Sequence, residues 1–369
     1  MKYIALSLFF FASFVQASSL TENLASSVEK YSESPHINGA SVLIHHQKKG
    51  EIFRAVFGYQ GAKGSREIQR DTIFDLASMT KLFTAAAVMK LHQDGVLNVG
   101  EKFQKYIPSF EGPRKDKVTV ADMLSHQSGV AAVNYLSDFV DGDLEKTWEN
   151  IIGIKMVREP RSSFVYSDVG YLLLGRLIEA STSSRIDQYV SKAIFKTLAL
   201  ENTFYTVPKK ELYRVVETDP AKPVGEVHDP RSARLKNQAG HAGIFSTIDD
   251  VLKFSQIYRG TSFFNHETLS YLLKPNKFGR GLGPDISSKY SGSVRGSYMP
   301  KGKSFGHTGY TGTSLWMDKD SGVTIIVLSN RVYPNDSGDS KRAISAFRRE
   351  LADIIGKHYY PTQGANRQE

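Results

Sequence analysis

The spacing of hydrophobic residues changes along the chain, from strand-like at both ends to helix-like between them. Near the N-terminus, Ala40–His46 and Glu51–Gly58 are rich in β-branched and aromatic residues and flank the turn-like sequence Gln47-Lys48-Lys49-Gly50. Near the C-terminus, Thr311–Met317 and Val323–Ser329 flank a second turn-rich segment. The pattern therefore predicts a β-hairpin at each end of the chain.

Apolar residues recur at helical spacing through most of the chain between these hairpins. The pattern of Leu82–Asp94 stops at Gly95, a residue typical of the position that follows a helix. The segment 205–240 is rich in proline and charge and is expected to form loops over one face. A helix at about Ser340–Lys357 closes the chain, with an apolar stripe of Ile344, Phe347, Leu351 and Ile354–Ile355.

Strands at both ends and helices between them predict an α+β fold. One antiparallel sheet is made from both chain termini and flanked by helices, with an inserted, mostly helical region. The expected division is a sheet subdomain of residues 18–75 and 295–369 and a helical subdomain of residues 76–294, with the active site at their junction. The 369 residues, 40% hydrophobic and 23% charged, are enough for one large domain or two packed ones.

The first residues predict a signal peptide over residues 1–17. Lys2 is followed by an apolar run from Tyr3 to Val15 and then by the small-residue signature Val15-Gln16-Ala17. A retained N-terminal anchor is the alternative. We expect an exported protein, periplasmic or secreted, without stable membrane insertion after cleavage.

Composition narrows the classes of partner. The chain has no cysteine, so disulfides play no part in its stability. The net charge of +9 comes from scattered basic residues, which favours weak attraction to an anionic surface such as a cell wall over nucleic acid binding. We expect a small-molecule or peptidoglycan-type peptide substrate. The oligomeric state stays open.

Ser78 and Lys81 lie three residues apart where a helix is predicted to start, so both face the same side. The free N–H groups and the dipole at a helix N-terminus favour an anion beside the hydroxyl. A lysine accepts the serine proton only when it is neutral, and burial lowers the pKa of a lysine. The pair therefore indicates nucleophilic catalysis, with a helix cap at Ser78 as the alternative. The same S-x-x-K spacing at Ser27–Lys30 is interpreted as a solvated helix face.

Two further motifs follow at Tyr166-Ser167-Asp168 and His307-Thr308-Gly309. Three motifs in this order resemble the serine β-lactamase and penicillin-binding protein superfamily. The closer match is the class C-like branch, which includes class C β-lactamases, D-alanyl-D-alanine peptidases, D-amino-acid peptidases and family VIII esterases. The resemblance covers about residues 30 to 335, including the stretches "TIFDLASMTKLFTAAAVMKL", "ADMLSHQSGV", "GHAGIFSTIDD" and "FGHTGYTGTSLWMD".

The resemblance implies a β-lactamase/transpeptidase-like fold and a serine hydrolase that forms an acyl-enzyme. Ser78 would be the nucleophile, Lys81 its proton partner, and Tyr166 the phenol that shares the proton with Lys81. The backbone N–H groups of Ser78 and Tyr310 would form the oxyanion hole. Substrate-binding residues would be Asp168, His307, Thr308 and Gly309, the last by letting substrate lie against a strand edge.

Two positions depart from the class C motifs. Asp168 stands where the family has asparagine, either as the cap of a helix that begins at Val169 or as an anion that keeps Lys81 protonated. His307 stands where the family has lysine, and a histidine gives a weaker, pH-dependent grip on a carboxylate. Both changes predict a pocket that is less favourable to anionic substrates, β-lactams included.

These observations favour an exported serine hydrolase that acts on an amide or ester, most specifically a D,D-peptidase or β-lactamase-related hydrolase of cell-wall-type peptides. A family VIII-like carboxylesterase and a non-catalytic binding protein are the alternatives.

Neither a metal nor a cofactor is predicted, because no paired histidine ligand spacing occurs. The G-x-S-x-G sequence at Gly302–Gly306 lacks the strand and helix that a nucleophile elbow needs. His126 and His241 are interpreted as structural, and His228 and Asp229 as possible rim residues.

Overall fold

The computed structural model describes residues 19–236, 238–260 and 262–361, so the predicted signal peptide lies outside the described residues. Within these ranges no helix combines the length and hydropathy needed to cross a membrane. The α-helices are α1 (19–32), α2 (Thr80–Gln93), α3 (Val120–Leu124), α4 (Leu144–Ile152), α5 (Asp168–Thr182), α6 (Ile186–Val190), α7 (Pro230–Arg234), α8 (Ile248–Ser255), α9 (His266–Leu272), α10 (Gly292–Arg295) and α11 (Gly338–Tyr359). The strands are β1 (Gly39–His46), β2 (Gly50–Gly58), β3 (Phe74–Asp75), β4 (Phe245–Ser246), β5 (Ser304–Thr308), β6 (Ser314–Asp318) and β7 (Val323–Ser329).

Both chain ends contribute to one five-stranded sheet with the order β2-β1-β7-β6-β5. All its pairings are antiparallel, and the N-terminal hairpin joins the C-terminal strands where β1 pairs with β7, with Val42 opposite Val327. The helical segments α2 to α10 come between β2 and β5 in the chain. The α+β prediction and its sheet from both termini are confirmed.

The sheet is covered on both faces because side chains alternate along each strand. In β1, Leu43 joins the larger core, which it shares with α2 and α5. Its neighbours Val42 and Ile44 point the other way, into a second core formed with α1 and α11. Helices cover both faces of the sheet. The predicted site therefore lies at the edge of the sheet, where β5 contacts the turn that carries Ser78.

Two local boundaries differ from the sequence prediction, and both bear on the site. β6 begins at Ser314 and not at Thr311, because a turn intervenes in which the Gly309 N–H donates to the carbonyl of Thr313 at 2.6 Å. Helix α2 begins at Thr80, after a 3₁₀ turn over Ala77–Met79. Ser78 therefore lies in a tight turn directly before the helix.

Candidate active site

Ser78 and Lys81 are in contact, as their spacing predicts. The Lys81 ammonium donates a hydrogen bond to Ser78 Oγ at 2.9 Å and a second to the carbonyl of His241 at 3.0 Å. Lys81 is fully buried, whereas Ser78 is partly exposed. The hydroxyl of Ser78 is therefore accessible from the surface, whereas the amine of Lys81 is enclosed by the protein.

Backbone pairing beside α2 brings the His241 carbonyl to Lys81. Strand β3 pairs with β4, and the Leu76 N–H donates to the carbonyl of Ile244 at 2.9 Å. Thr84 Oγ1 donates to the carbonyl of Gly240 at 2.7 Å. A Cβ at Gly240 would lie 2.2 Å from the carbonyl oxygen of Tyr171, so only glycine permits this approach to α5.

Tyr166 faces Lys81 from the segment that precedes α5. Lys81 Nζ lies 5.0 Å from the centroid of the Tyr166 ring, and a hydrogen bond to the phenol helps to raise the pKa of Lys81. His126 packs its ring 4.5 Å from the Tyr166 ring, and its Nδ1 accepts the N–H of Ser167 at 3.0 Å. His126 is thus structural, and it fixes the segment that carries the phenol.

Asp168 points into the site and does not cap α5. The cap is Ser167, whose hydroxyl accepts the N–H of Gly170 at 3.0 Å. Asp168 is the first helical residue, and its carboxylate lies 2.8 Å from Lys81 Nζ. The capping interpretation of Asp168 is therefore wrong, and the alternative of an anion beside Lys81 is what the structure contains.

The balance of charge favours a protonated Lys81. Burial lowers the pKa of Lys81, but the Asp168 charge and the Tyr166 phenol raise it by more, so the pKa lies above that of an ordinary lysine. Burial raises the pKa of Asp168. The charge of Lys81, followed by that of His241, lowers it by more, so the pKa lies below that of an ordinary aspartate. Burial alone would leave Lys81 with a lowered pKa, as the sequence suggested, but the ion pair with Asp168, which the sequence offered only as an alternative, reverses the direction.

Two clefts meet at Ser78. The first, here called the β5 cleft, has a volume of about 420 Å³ and is lined by Ser78, Tyr166, His307, Thr308, Gly309 and Tyr310, together with a group of basic residues. The second, here called the His228 cleft, has a volume of about 380 Å³ and is lined by Ser78, Tyr166, Asp168, His228, Asp229, His241 and Tyr310. A larger cavity of about 900 Å³ around Trp148 contains none of the predicted site residues. All the predicted site residues thus line one or both clefts, except the enclosed Lys81.

His307 is buried in the wall of the β5 cleft, where its surroundings favour the neutral ring. Burial lowers its pKa well below that of an ordinary histidine, and the nearby charges of Arg280 and Lys81 lower it further. Its Nδ1 lies 2.8 Å from the carbonyl oxygen of Thr308, the geometry of an N–H donor to that oxygen. Because burial and the neighbouring charges favour the neutral ring, His307 is poorly suited to the expected pH-dependent grip on a carboxylate.

Basic residues in the β5 cleft overturn the expectation of a site that disfavours anions. These residues are Arg280, Arg331, Lys341 and Arg348. Arg280 lies 3.6 Å from Asp285, and Arg331 lies 2.6 Å from Asp336. Sequence reasoning missed these residues because they come from separate segments without a local motif.

Arg348 is a buried guanidinium that pairs with no carboxylate of the described chain. One of its nitrogens donates to the carbonyl of Thr313 at 2.7 Å, and its Nε has no hydrogen-bond partner among residues 19–236, 238–260 and 262–361. Burial, followed by the like charge of Arg331, lowers the pKa of Arg348 to about 9. Arg348 therefore remains charged near neutral pH, beside a cleft that opens on Ser78.

Gly309 is required for a close backbone approach beside the site. A Cβ at this position would lie 2.1 Å from Thr313 Oγ1 and 2.3 Å from the carbonyl oxygen of Leu76. Gly309 also lines the β5 cleft, so the expectation that substrate lies against its backbone stays a prediction. Its lack of a side chain lets the turn of Tyr310 pack against the turn of Ser78.

Tyr310 stands between the two clefts. Its ring stacks on His228 with centroids 5.6 Å apart, and its phenol donates to Asp336. Within the described part of the chain, the Tyr310 N–H has no backbone hydrogen-bond acceptor, which leaves it available to a ligand. This is the property that an oxyanion-hole donor needs.

The other histidines near the site are held by neighbours. His241 Nε2 lies 2.9 Å from Asp229, whose carboxylate also caps α7. Across the described ranges, no three or more His, Cys, Asp or Glu side chains are grouped as metal ligands would be.

A sheet built from both chain ends, covered by helices, with a serine–lysine pair at its edge, defines a β-lactamase/transpeptidase-type serine hydrolase. The chain belongs to the Beta-lactamase family, whose model matches residues 24–348.

Two similar proteins have names of hydrolases. The chain is 29% identical over 336 residues to an N-acetylmuramyl-L-alanine amidase of Bacillus subtilis (strain 168), covering 78% of this chain and 76% of that protein. It is 30% identical over 302 residues to a candidate D-alanyl-D-alanine carboxypeptidase of Escherichia coli (strain K12), covering 71% of this chain and 70% of that protein. A solved structure of EstCE1, a hydrolase with promiscuous acyltransferase activity, has the same fold, with a TM-score of 0.75 at 18% identity over 91% of this chain and 100% of the other.

Replacing Asp168 with asparagine should move the acid limb of the pH–rate profile to lower pH. The substitution removes the charge that most strongly raises the pKa of Lys81, while burial still lowers it. A larger fraction of Lys81 is then neutral at any given pH, so kcat/KM near pH 7 should rise roughly three- to tenfold. Hydrolysis of a chromogenic ester, followed between about pH 5 and 10, measures the profile.

Asp229→Asn is the matched control, because Asp229 lies in the same cleft but pairs with His241. Asp229 also feels the Lys81 charge, but it is not among the main causes of the raised Lys81 pKa, so the acid limb of Asp229→Asn should move much less than that of Asp168→Asn. An Asp168→Asn profile that is unmoved, or shifted to higher pH, would contradict the assignment of Asp168 as the group that holds Lys81 protonated.

Proposed function

We propose that this protein is an exported serine D,D-carboxypeptidase-type hydrolase that cleaves cell-wall peptides ending in a free carboxylate, through an acyl-enzyme on Ser78. The observation that carries the proposal is the buried Arg348 guanidinium, which has no carboxylate partner in the described chain and lies in the cleft that opens on Ser78. A buried unpaired charge is costly, and a bound carboxylate would relieve that cost. Relatives with cell-wall names support the same substrate class.

The proposed chemistry begins with the Ser78 hydroxyl, which attacks the scissile carbonyl carbon as its proton passes to the Lys81–Tyr166 pair. The negative oxygen of the tetrahedral intermediate accepts hydrogen bonds from the N–H groups of Ser78 and Tyr310. Collapse breaks the peptide bond, and the stored proton leaves with the amine. Water then attacks the ester on Ser78 and releases the shortened peptide.

Lys81, Tyr166 and Asp168 act as one proton-transfer unit in this scheme. Because Asp168 favours the Lys81 cation, the unit must first lose a proton before it can accept one from Ser78. The proton-accepting capacity therefore belongs to the three groups together and not to Lys81 alone.

A neutral ester is the second candidate substrate, favoured by the mainly neutral His307 at the position where the family has lysine. The two candidates separate on three substrates: a peptide ending in D-alanyl-D-alanine, its C-terminal amide, and a nitrophenyl ester of an uncharged acid. We expect kcat/KM for the free acid to exceed that for the amide by roughly a hundredfold. Turnover of the ester alone, or equal rates for acid and amide, would contradict the carboxypeptidase proposal.

Arg348→Met should weaken binding of the free-acid peptide without destabilising the protein. Loss of the guanidinium removes the proposed carboxylate partner, so KM for the acid should rise roughly ten- to a hundredfold. The melting temperature should be unchanged or higher, because methionine removes a buried, unpaired charge. Steady-state kinetics and thermal unfolding measure the two effects.

Arg348→Lys keeps the charge and should retain part of the affinity, while the nitrophenyl ester should react at similar rates with all three proteins. An Arg348→Met variant that binds acid and ester as the wild type does would exclude Arg348 from substrate recognition.

A further inference from the structure

Asp75 is a buried carboxylate three residues before Ser78 that contacts backbone on both oxygens. It is 1% exposed, and no lysine, arginine or histidine of residues 19–236, 238–260 and 262–361 forms an ion pair with it. Its Oδ1 accepts the N–H of Ala77 at 2.8 Å, and its Oδ2 accepts the N–H of His228 at 2.7 Å. Its carbonyl oxygen accepts the hydroxyl of Thr311 at 2.7 Å.

These three bonds join three segments that surround the nucleophile. Ala77 belongs to the turn of Ser78, His228 to the wall of the His228 cleft, and Thr311 follows Tyr310. Leu76 adds a parallel link, because its carbonyl accepts Thr313 Oγ1 at 2.9 Å. The two proposed oxyanion-hole donors thus belong to turns that are tied to each other through Asp75 and Leu76.

The backbone at Ala77 is strained where Asp75 holds it. Ala77 has φ of 46°, a left-handed conformation that residues with a Cβ rarely adopt. The Asp75 bond to the Ala77 N–H stabilises this turn. The next peptide group carries the Ser78 N–H, so the direction of that N–H depends on the strained conformation.

A carboxylate is a costly way to obtain these contacts. Burial raises the pKa of Asp75, and hydrogen bonds from the N–H groups of His228 and Ala77 lower it only in part. Asparagine has nearly the same shape and no charge, but its single side-chain oxygen can serve only one of the two N–H groups. The need for two acceptors at once explains the carboxylate.

We propose that Asp75 is a positioning residue: its carboxylate holds the turn that carries the Ser78 N–H, and its backbone carbonyl ties that turn to the one that carries the Tyr310 N–H, so that both N–H groups reach the oxyanion of the transition state. The proposal rests on the acyl-enzyme function given above. Asp75 itself touches no substrate atom, and its effect passes through the two turns.

Asp75→Asn should impair the transition state and leave ground-state binding nearly intact. We expect the acylation rate to fall roughly ten- to a hundredfold, and the affinity for a boronic acid that forms a tetrahedral adduct on Ser78 to fall by a similar factor. Peptide affinity, measured on Ser78→Ala with and without Asp75→Asn, should differ by no more than about twofold. Stopped-flow acylation, boronate inhibition and calorimetry give the three values.

Asp250→Asn is a matched control, since Asp250 is also 1% exposed and its carboxylate accepts the N–H of Asn202 at 2.7 Å. It is joined to no turn of the site and should leave boronate affinity unchanged. Thr311→Val removes the hydroxyl that donates to the backbone carbonyl of Asp75, so it tests the link to the Tyr310 turn and not the carboxylate; it should weaken the boronate several-fold, whereas Thr311→Ser should restore it. If Asp75→Asn alone does not fold, Asp75→Asn/Ala77→Gly relieves the backbone strain at Ala77, and its boronate affinity is compared with that of Ala77→Gly.

Equal boronate affinity in the wild type and Asp75→Asn, or losses no larger than those in Asp250→Asn, would overturn the positioning role. Peptide and boronate affinities that fall together would also overturn it, because a merely structural effect is not selective for the transition state. A wild type that forms no adduct at Ser78 would instead remove the proposed function and this inference with it.

Discussion

Ser78→Ala should abolish covalent labelling and reduce hydrolysis by roughly a thousandfold or more. Ser78 Oγ is the partly exposed hydroxyl where both clefts meet, 2.9 Å from the Lys81 amine. Alanine removes only this oxygen and its bond to Lys81, so the fold should be preserved and the melting temperature should change little. Intact-mass spectrometry after incubation with a penicillin or a boronic acid, together with kcat/KM, measures the loss.

The chain offers its own control in the second S-x-x-K sequence. Ser27 is buried in α1, and Lys30 lies 62% exposed with its amine 2.6 Å from Glu350, so these two side chains do not form a pair like that of Ser78 and Lys81. Ser27→Ala should retain full labelling and activity. An adduct that persists in Ser78→Ala, for example on Ser304, would contradict the assignment of the nucleophile.

The contact between Ser78 and Lys81 was predictable because it is local. Two residues three apart at a helix start must face the same side, whatever the rest of the chain does. The hairpins were predictable for a similar reason, since alternation and turn residues act over a few positions. The position of Tyr166 came from the resemblance of three motifs, not from its own neighbourhood.

The electrostatic character of the site was not predictable, because it depends on contacts between distant segments. In the sequence, Asp168 precedes a helix and is equally suited to a cap, and only the role of Ser167 as the cap turns the carboxylate toward Lys81. Arg348 follows Phe347 in the apolar stripe of α11, where a charged residue is expected to reach solvent. In the structure Arg348 is instead buried, and its guanidinium donates a hydrogen bond to the carbonyl of Thr313.

The role of Asp75 could not be predicted from the sequence either, although Asp75 lies only three residues before Ser78. Its partners at His228 and Thr311 lie more than a hundred residues away. No local pattern distinguishes a carboxylate that joins three loops from one that ends a strand. The division into subdomains at residues 75 and 295 likewise stays a prediction, since the chain crosses between them at the site itself.

Lys81→Met should reduce the acylation rate by roughly 10²- to 10⁴-fold, because it removes the amine that we propose exchanges a proton with Ser78 and Tyr166. Methionine fills a similar volume in this buried position, but it leaves the Asp168 carboxylate without its cation 2.8 Å away. The free energy of unfolding should therefore fall as well, since a buried charge without a partner is costly. Rapid-mixing acylation and thermal unfolding separate the two effects.

The double variant Lys81→Met/Asp168→Asn distinguishes a lost proton carrier from a damaged fold. Replacing the stranded carboxylate with a neutral amide should restore most of the melting temperature, while the acylation rate should stay as low as in Lys81→Met. A double variant that acylates within about tenfold of the wild type would show that Tyr166 needs no lysine to deprotonate Ser78. In that case the role of Lys81 would be to neutralise the charge of Asp168. The S-x-x-K spacing would then serve this ion pair and not proton transfer from Ser78.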